Sequence, residues 1–124
     1  RLSNHLVRPE LKIQAEAMVL ACKSEIISYP RSYSYWLAVG LRLLKPGYEV
    51  VAVGPNAKKD TKKLQQSFTV NCSWAAAETS TLPLFRNRVS EGKTKYYLCR
   101  NNQCGIPLES QDEVQRRLQE TANA

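Results

Sequence analysis

An uninterrupted apolar run ending in glycine, Glu49-Val50-Val51-Ala52-Val53-Gly54, restricts the fold of this chain more than any other stretch. A strand without alternation has both faces covered, as in a parallel sheet. Pro55-Asn56-Ala57 follows, and residues 58–68 then read as a lysine-rich helix. Strand, glycine turn and helix make the first half of a βαβ unit. Residues 70–77, with Cys72 and Trp74, supply the returning strand, joined by a crossover of the usual right hand. Residues 79–92 form a polar loop interrupted by Leu82-Pro83-Leu84-Phe85, which is expected to cover a sheet edge. Residues 94–99 are rich in β-branched and aromatic types and predict a third strand. Ser110-Gln111-Asp112-Glu113 is a capping box for a last helix, on which Val114 and Leu118 form a narrow stripe and Glu113 and Arg117 an i,i+4 pair. That helix is expected at the periphery. The fold class is therefore α/β, with a small three-stranded, mainly parallel sheet and flanking helices over 47–124.

Upstream the pattern is purely helical. Residues 1–8 carry no periodic signal, and Pro9 and Glu10 suit a first helical turn. The helix is predicted to run to about residue 28 with two apolar faces. Ile13, Ala17, Leu20 and Ile27 lie on one; Ala15, Met18, Val19, Cys22 and Ile26 lie on the other. A surface helix shows one apolar stripe, and one with two is sandwiched. The remaining elements are too few to supply both partners, so this helix is expected to have lost a neighbour. Tyr29-Pro30 ends it, because a residue before proline avoids the helical region. A second helix runs from about 32 or 34 to 44, with Tyr33, Trp36, Leu37, Leu41 and Leu44 on its apolar side, until Pro46-Gly47 stops it. Residues 1–46 thus read as a helical hairpin, and the compositional joint falls at Pro46-Gly47.

With 124 residues, 43% of them hydrophobic, the chain is one domain, or a small domain with an appendage, with a modest core. No apolar run approaches the ~20 residues that span a bilayer, and residues 1–8 lack the order of a signal peptide, so a cytoplasmic location is expected. The net charge of +7 is concentrated in Lys58, Lys59, Lys62 and Lys63, and in Arg86, Arg88, Lys93, Lys95 and Arg100. Such clusters bind phosphate or nucleic acid, or are simply solvated. Stacking recognition of bases needs interleaved aromatics, and only Phe68 lies near the lysines, so solvation is the stronger reading.

The pointed chemistry is sparse. Four cysteines are too few and too scattered for a secreted disulfide scaffold, and Cys22 and Cys72 read as small core residues. Cys99 and Cys104 enclose four residues at the end of a strand. A structural zinc site needs four ligands, and only one close pair exists. A thioredoxin-type site would be C-x-x-C at a helix N-terminus, whereas here the second cysteine precedes Gly105-Ile106-Pro107. The favoured reading is a tight turn that makes the two sulfurs neighbours, as thiols or as a disulfide, without metal. Gly54, Asn56, Lys58 and Lys59 are a possible anion site at a helix start, but they lack the phosphate-loop spacing and a plain turn is preferred. His5, the one histidine, has no converging partner in the sequence and reads as solvent-exposed. No nucleophile triad, carboxylate pair or dinucleotide fingerprint occurs, so neither a cofactor nor independent catalysis is expected.

The segment from Tyr96 to Pro107, Tyr-Tyr-Leu-Cys-Arg-Asn-Asn-Gln-Cys-Gly-Ile-Pro, resembles the C-terminal end of the large thioredoxin-domain proteins that include the spermatogenesis-associated thioredoxin-like proteins. Their closing pattern is an aromatic strand, C-x4-C, two residues, then proline and an acidic-capped helix. The likeness extends to Tyr29-Pro30-Arg31-Ser32-Tyr33, the helix to Leu44, the strand to Gly54 and Leu82-Pro83-Leu84-Phe85, covering about residues 9 to 120. What the resemblance implies is the last part of a longer architecture. A thioredoxin-like domain comes first, followed by an (α/α) toroid similar to N-acylglucosamine 2-epimerases and six-hairpin glycosidases, and a small α/β piece closes the chain. The hairpin 1–46 would then close the toroid. The expected role is a non-catalytic, structural accessory domain, partnered by the upstream toroid and thioredoxin-like domains, with self-association when isolated. Rival readings are a thiol redox or metal-binding element at Cys99 and Cys104 and, more weakly, a basic nucleic-acid-binding module. The resemblance supplies the positions of the two cysteines and no mechanism for them.

Overall fold

The computed structural model describes residues 6, 8–67, 69, 71–79, 81–101 and 103–122. His5, Phe68, Val70 and Asn102, which figured in the sequence reading, lie outside the described residues. The chain divides into two compact units, residues 1–46 and 47–124.

The first unit holds α1 (Pro9–Ala21), α2 (Lys23–Ser28) and α3 (Ser34–Leu44). Pro9 opens α1 in the first turn, where a missing N–H costs nothing, and Glu10 sits beside it with its carboxylate on Arg8 at 2.6 Å. The single helix expected to residue 28 is interrupted at Cys22, whose backbone leaves the helical region at φ −97°, ψ 14°. Helical bonds still bridge the break, from Cys22 N–H to Met18 O and from Ile26 N–H to Cys22 O. Leu11, Ala15, Val19, Cys22 and Ile26 are half-buried and form one continuous stripe. α1 packs against α3, and Gly40 lies at that contact, where a Cβ would meet Val19 Cγ1 at 3.4 Å. The opposite stripe is open: Ile13 is 65% exposed, Leu20 69% and Ile27 70%. None of the three helices has a fully buried residue.

The second unit is a four-stranded mixed sheet in the order β2–β1–β3–β4, with β1 (Tyr48–Val53), β2 (Cys72–Ala77), β3 (Lys95–Arg100) and β4 (Gln103–Cys104). The α/β class holds, while the expected three strands become four and the pairing is less parallel than expected. β1 pairs β2 in parallel through α4 (Ala57–Leu64), but β1 pairs β3 antiparallel, as β3 does β4. The physical reason is the connection. A parallel return needs a crossover, and among its described residues the loop joining β2 to β3 holds a 3-10 turn, Pro83–Phe85, and no longer helix.

Both faces of β1 are covered, as its apolar run requires. Val50 and Ala52 pack with Tyr96, Leu64, and Val114 and Leu118 of α5 (Gln111–Ala122). Val51 and Val53 pack with Leu84, Phe85 and Cys99. Two expectations change here. Leu84 and Phe85 cover a sheet face rather than an edge, and α5 sends Val114 and Leu118 into the core rather than staying peripheral. α4 is shorter than expected, its last turn loosening after Leu64 through bonds from Gln66 N–H to Lys63 O and Ser67 N–H to Leu64 O.

Candidate functional site

One row of side chains crosses the face covered by Leu84 and Phe85. Strand partners point to the same side of a sheet, and Glu49 is opposite Ser73 on one side and Cys99 on the other, while Cys99 is opposite Cys104. Local chemistry fixes this register. Arg100 and Gln103 close a hairpin over a two-residue turn, and Asn101 takes φ +52°, a conformation asparagine tolerates in such turns. The Gly105 N–H donates to Leu98 O at 3.0 Å, so the Cys99–Cys104 pair occupies the non-hydrogen-bonded position, where facing residues come closest. Their Cα atoms are 3.9 Å apart and the sulfurs are joined in a disulfide, S–S 2.10 Å. The expected neighbouring sulfurs are present, in the oxidised form. The two differ in access: Cys99 is 0% exposed, whereas Cys104 is exposed.

Arg88 caps the pair. Its Nη2 lies 3.3 Å from Cys99 Sγ and 2.8 Å from Cys104 Sγ. Two anchors place it. Buried Phe85 accepts a bond from the Arg88 N–H at 3.2 Å, and the Tyr97 hydroxyl donates to Val89 O at 3.2 Å. The guanidinium also stands over the Tyr97 ring, 5.7 Å from its centroid, in the manner of a cation–π contact. Burial draws the Arg88 pKa below its ordinary value, while the charges of Glu49 and Tyr97 act against that pull. An arginine remains protonated regardless. Glu49 is itself buried at 5% exposure, and its Oε1, like Arg88 Nε, has no hydrogen-bond partner. The sequence reading had Arg88 only as one member of a basic cluster and did not single out Glu49. A carboxylate heading an apolar strand was the available signal.

The other two cysteines are free, half-buried thiols: Cys72 packs against the core of the sheet unit, and Cys22 lies on the inner stripe of the first unit. Burial, then the negative charge of Glu49, pushes the Cys72 thiol up to about 12. Burial and the bond it donates to Asp60 Oδ2 at 2.7 Å raise the Tyr96 hydroxyl as well. Both groups keep their protons longer in the folded chain than in the unfolded one. Their contribution to stability is therefore complete below the unfolded thiol value of ~8.5 and is lost as pH rises beyond it. We expect the melting temperature to fall steadily above about pH 9, and the fall to be shallower in Cys72→Ala and Tyr96→Phe; circular dichroism melts across pH 7–11 measure it.

The proposed anion site does not converge. Asn56 lines a cleft of about 380 Å³ with Asp60, Lys93, Tyr96 and Glu109, but Lys58 and Lys59 are exposed and take no part in its walls. The Asn56 N–H is already bonded to Thr94 Oγ1 at 3.1 Å, and two carboxylates border the space. Gly54 serves the turn instead, at φ +134°. Among the basic residues, Lys95 pairs with Glu91 and Arg100 lies over the Tyr48 ring at 5.5 Å. Lys58, Lys59, Lys62 and Lys63 are all exposed. Binding to labelled RNA or DNA is expected to be weak and indifferent to sequence. A titration that finds nanomolar affinity surviving physiological salt would refute this, since phosphate-only contacts fade steeply with salt.

No group of three or more His, Cys, Asp or Glu side chains converges among the described residues. No helix among them is long and apolar enough to cross a membrane. Compared with protein-family models, curated proteins and solved structures, the chain matches none.

Proposed function

We propose that this chain is a non-catalytic accessory portion of a multidomain thioredoxin-like protein of the cytoplasm. In that reading the hairpin 1–46 closes an (α/α) toroid, and the sheet unit 47–124 follows as a small terminal domain. The observation that carries the proposal is the second apolar stripe of the first unit. Ile13, Leu20 and Ile27 stand in one line and are largely exposed, while the stripe behind them is occupied by α3. Burying such a row is worth roughly 1.5–3 kcal/mol per residue, which a neighbouring helix of a toroid would supply. Contiguous exposed apolar surface marks an interaction site, and in the isolated chain the same row drives self-association.

The test compares amide hydrogen exchange in residues 9–28 of the isolated chain with the same residues in the longer protein that the proposal requires. Protection that rises strongly in the longer protein, together with oligomers of the isolated chain in light scattering that Leu20→Glu with Ile27→Glu dissolves, supports the reading. Equal exchange in both settings and a monomer at high concentration would overturn it.

A further inference from the structure

We propose that Cys99 and Cys104 form a thiol–disulfide exchange site for dithiols, in which Cys104 is the sulfur attacked, Cys99 the sulfur that leaves and Arg88 the group that stabilises the departing thiolate. The proposal is independent of the accessory reading above. It rests on three observations that coincide at one place. The disulfide has one exposed and one fully enclosed cysteine. A guanidinium nitrogen lies within bonding distance of both sulfurs. That guanidinium is held from behind by Tyr97 and by the residues around Phe85 and Val89, so it is in position before any reaction begins. A disulfide is only a weak acceptor, so a cation held this way has more to gain from a thiolate than from the oxidised pair. That difference between the two states is what favours the reaction.

The direction of attack follows from access. A reagent thiolate arriving from solvent reaches Cys104 Sγ, because the neighbouring Gly105 and Ile106 are exposed while Cys99 lies under Leu84 and Phe85. As the bond from the reagent sulfur to Cys104 Sγ forms, the Cys99–Cys104 bond breaks, and its electron pair remains on Cys99 Sγ beneath Arg88 Nη2. The second thiol of the dithiol loses its proton to water and attacks the reagent sulfur in the mixed disulfide. Cys104 then departs as a thiolate, and the two protein thiolates take up two protons. In sum, two electrons pass from the dithiol, which becomes a disulfide, to the cysteine pair, which becomes two thiols. An oxidised dithiol partner drives the same steps in reverse. Enclosure alone would make Cys99 a poor leaving group by disfavouring its anion, and Arg88 removes that obstacle. Glu49, opposite Cys99 on β1, sets a negative charge near the same guanidinium, and Arg88 has to offset that charge as well as the enclosure.

The experiment uses the whole chain. Dithiothreitol is added, samples are quenched with iodoacetamide, and mass spectrometry of the peptides follows the appearance of thiols at 99 and 104. In a second arm, Cys99→Ser and Cys104→Ser are each exposed to oxidised glutathione. The expected result is a glutathione adduct on Cys104 that forms at least ~10-fold faster than one on Cys99, given their access. Arg88→Met is expected to slow reduction of the native disulfide by roughly three- to tenfold through the raised pKa of the leaving thiol, while Arg88→Lys stays within about threefold of the unaltered chain. Near-UV circular dichroism checks that each variant is folded. If Arg88→Met is not, the lysine variant and the trapping arm decide by the same criteria. Trapping that is equal at the two cysteines or faster at Cys99 would overturn the proposal, as would reduction of a folded Arg88→Met chain at the unaltered rate.

Discussion

Alanine at Gly54 is expected to destabilise residues 47–124 by at least ~3 kcal/mol, from a strained backbone and a forced contact together. The glycine has φ +134°, a region closed to side chains, and a Cβ there would lie 2.7 Å from Thr94 Cα and 2.8 Å from Lys93 O. These are backbone atoms at the entry to β3, so neither can swing aside. The substitution would push β3 away from the end of β1 and with it the Asn56–Thr94 bond. Chemical denaturation of the unaltered and Gly54→Ala chains measures the difference. For a unit of this size the melting temperature should drop by about 12 °C or more. Gly47→Ala provides an independent check in the same unit. Its Cβ would meet Asn71 O at 1.7 Å, a second collision with main chain. A loss below about 1 kcal/mol for both would mean that the sheet is far more yielding than packed interiors are.

Phe85→Ala is expected to cost about 3–5 kcal/mol, the usual range for removing a buried phenylalanine. Phe85, with Leu84, closes the face that carries Val51, Val53 and Cys99. Its main chain also holds Arg88, so the same change should loosen the cap over the sulfur pair. The stability loss is measured by urea titration with an unchanged slope. The loosening is measured as faster alkylation of Cys99 after full reduction. A folded Phe85→Ala chain that is destabilised but leaves Cys99 as slow to react as before would separate the packing role of Phe85 from its placement of Arg88.

The elements governed by local chemistry were legible. The apolar run 49–53, the turn at Gly54, the proline that ends the first helical stretch and the helix beginning at Gln111 all follow from residues within a few positions of one another. So did the closeness of Cys99 and Cys104, since a short polar turn after a strand leaves the chain few routes but back. What escaped was everything decided at long range. The direction of β3 depends on where a loop of more than a dozen residues lands, and nothing in that loop states it. The same holds for Arg88, which reaches the sulfurs only because Leu84 and Phe85 are drawn under the sheet. Lys58 and Lys59 show the limit of proximity in sequence. They adjoin Gly54 and Asn56 along the chain, yet both are exposed and the Asn56 N–H is taken by Thr94 Oγ1. Leu37, Leu41 and Leu44 belong to the apolar side of α3, but all three are exposed. An apolar side gives no internal sign of how much of it its own chain will cover.

β1 is the first strand of this sheet to be synthesised and one of its two inner strands. Tyr48 must wait for Cys72, and Glu49 for Cys99, before either finds its partner. During translation, at some 5–20 residues per second, Val50, Val51, Ala52 and Val53 therefore emerge with no completed sheet to enter. The hairpin ahead of them can form as soon as it is clear of the ribosome, because its contacts are local and such contacts form quickly. The nascent chain thus presents an early-folded helical unit tethered to a bare, strongly β-forming segment for several seconds. That interval, rather than any weakness of the finished fold, is when chaperone contact and misassembly between neighbouring chains should concentrate.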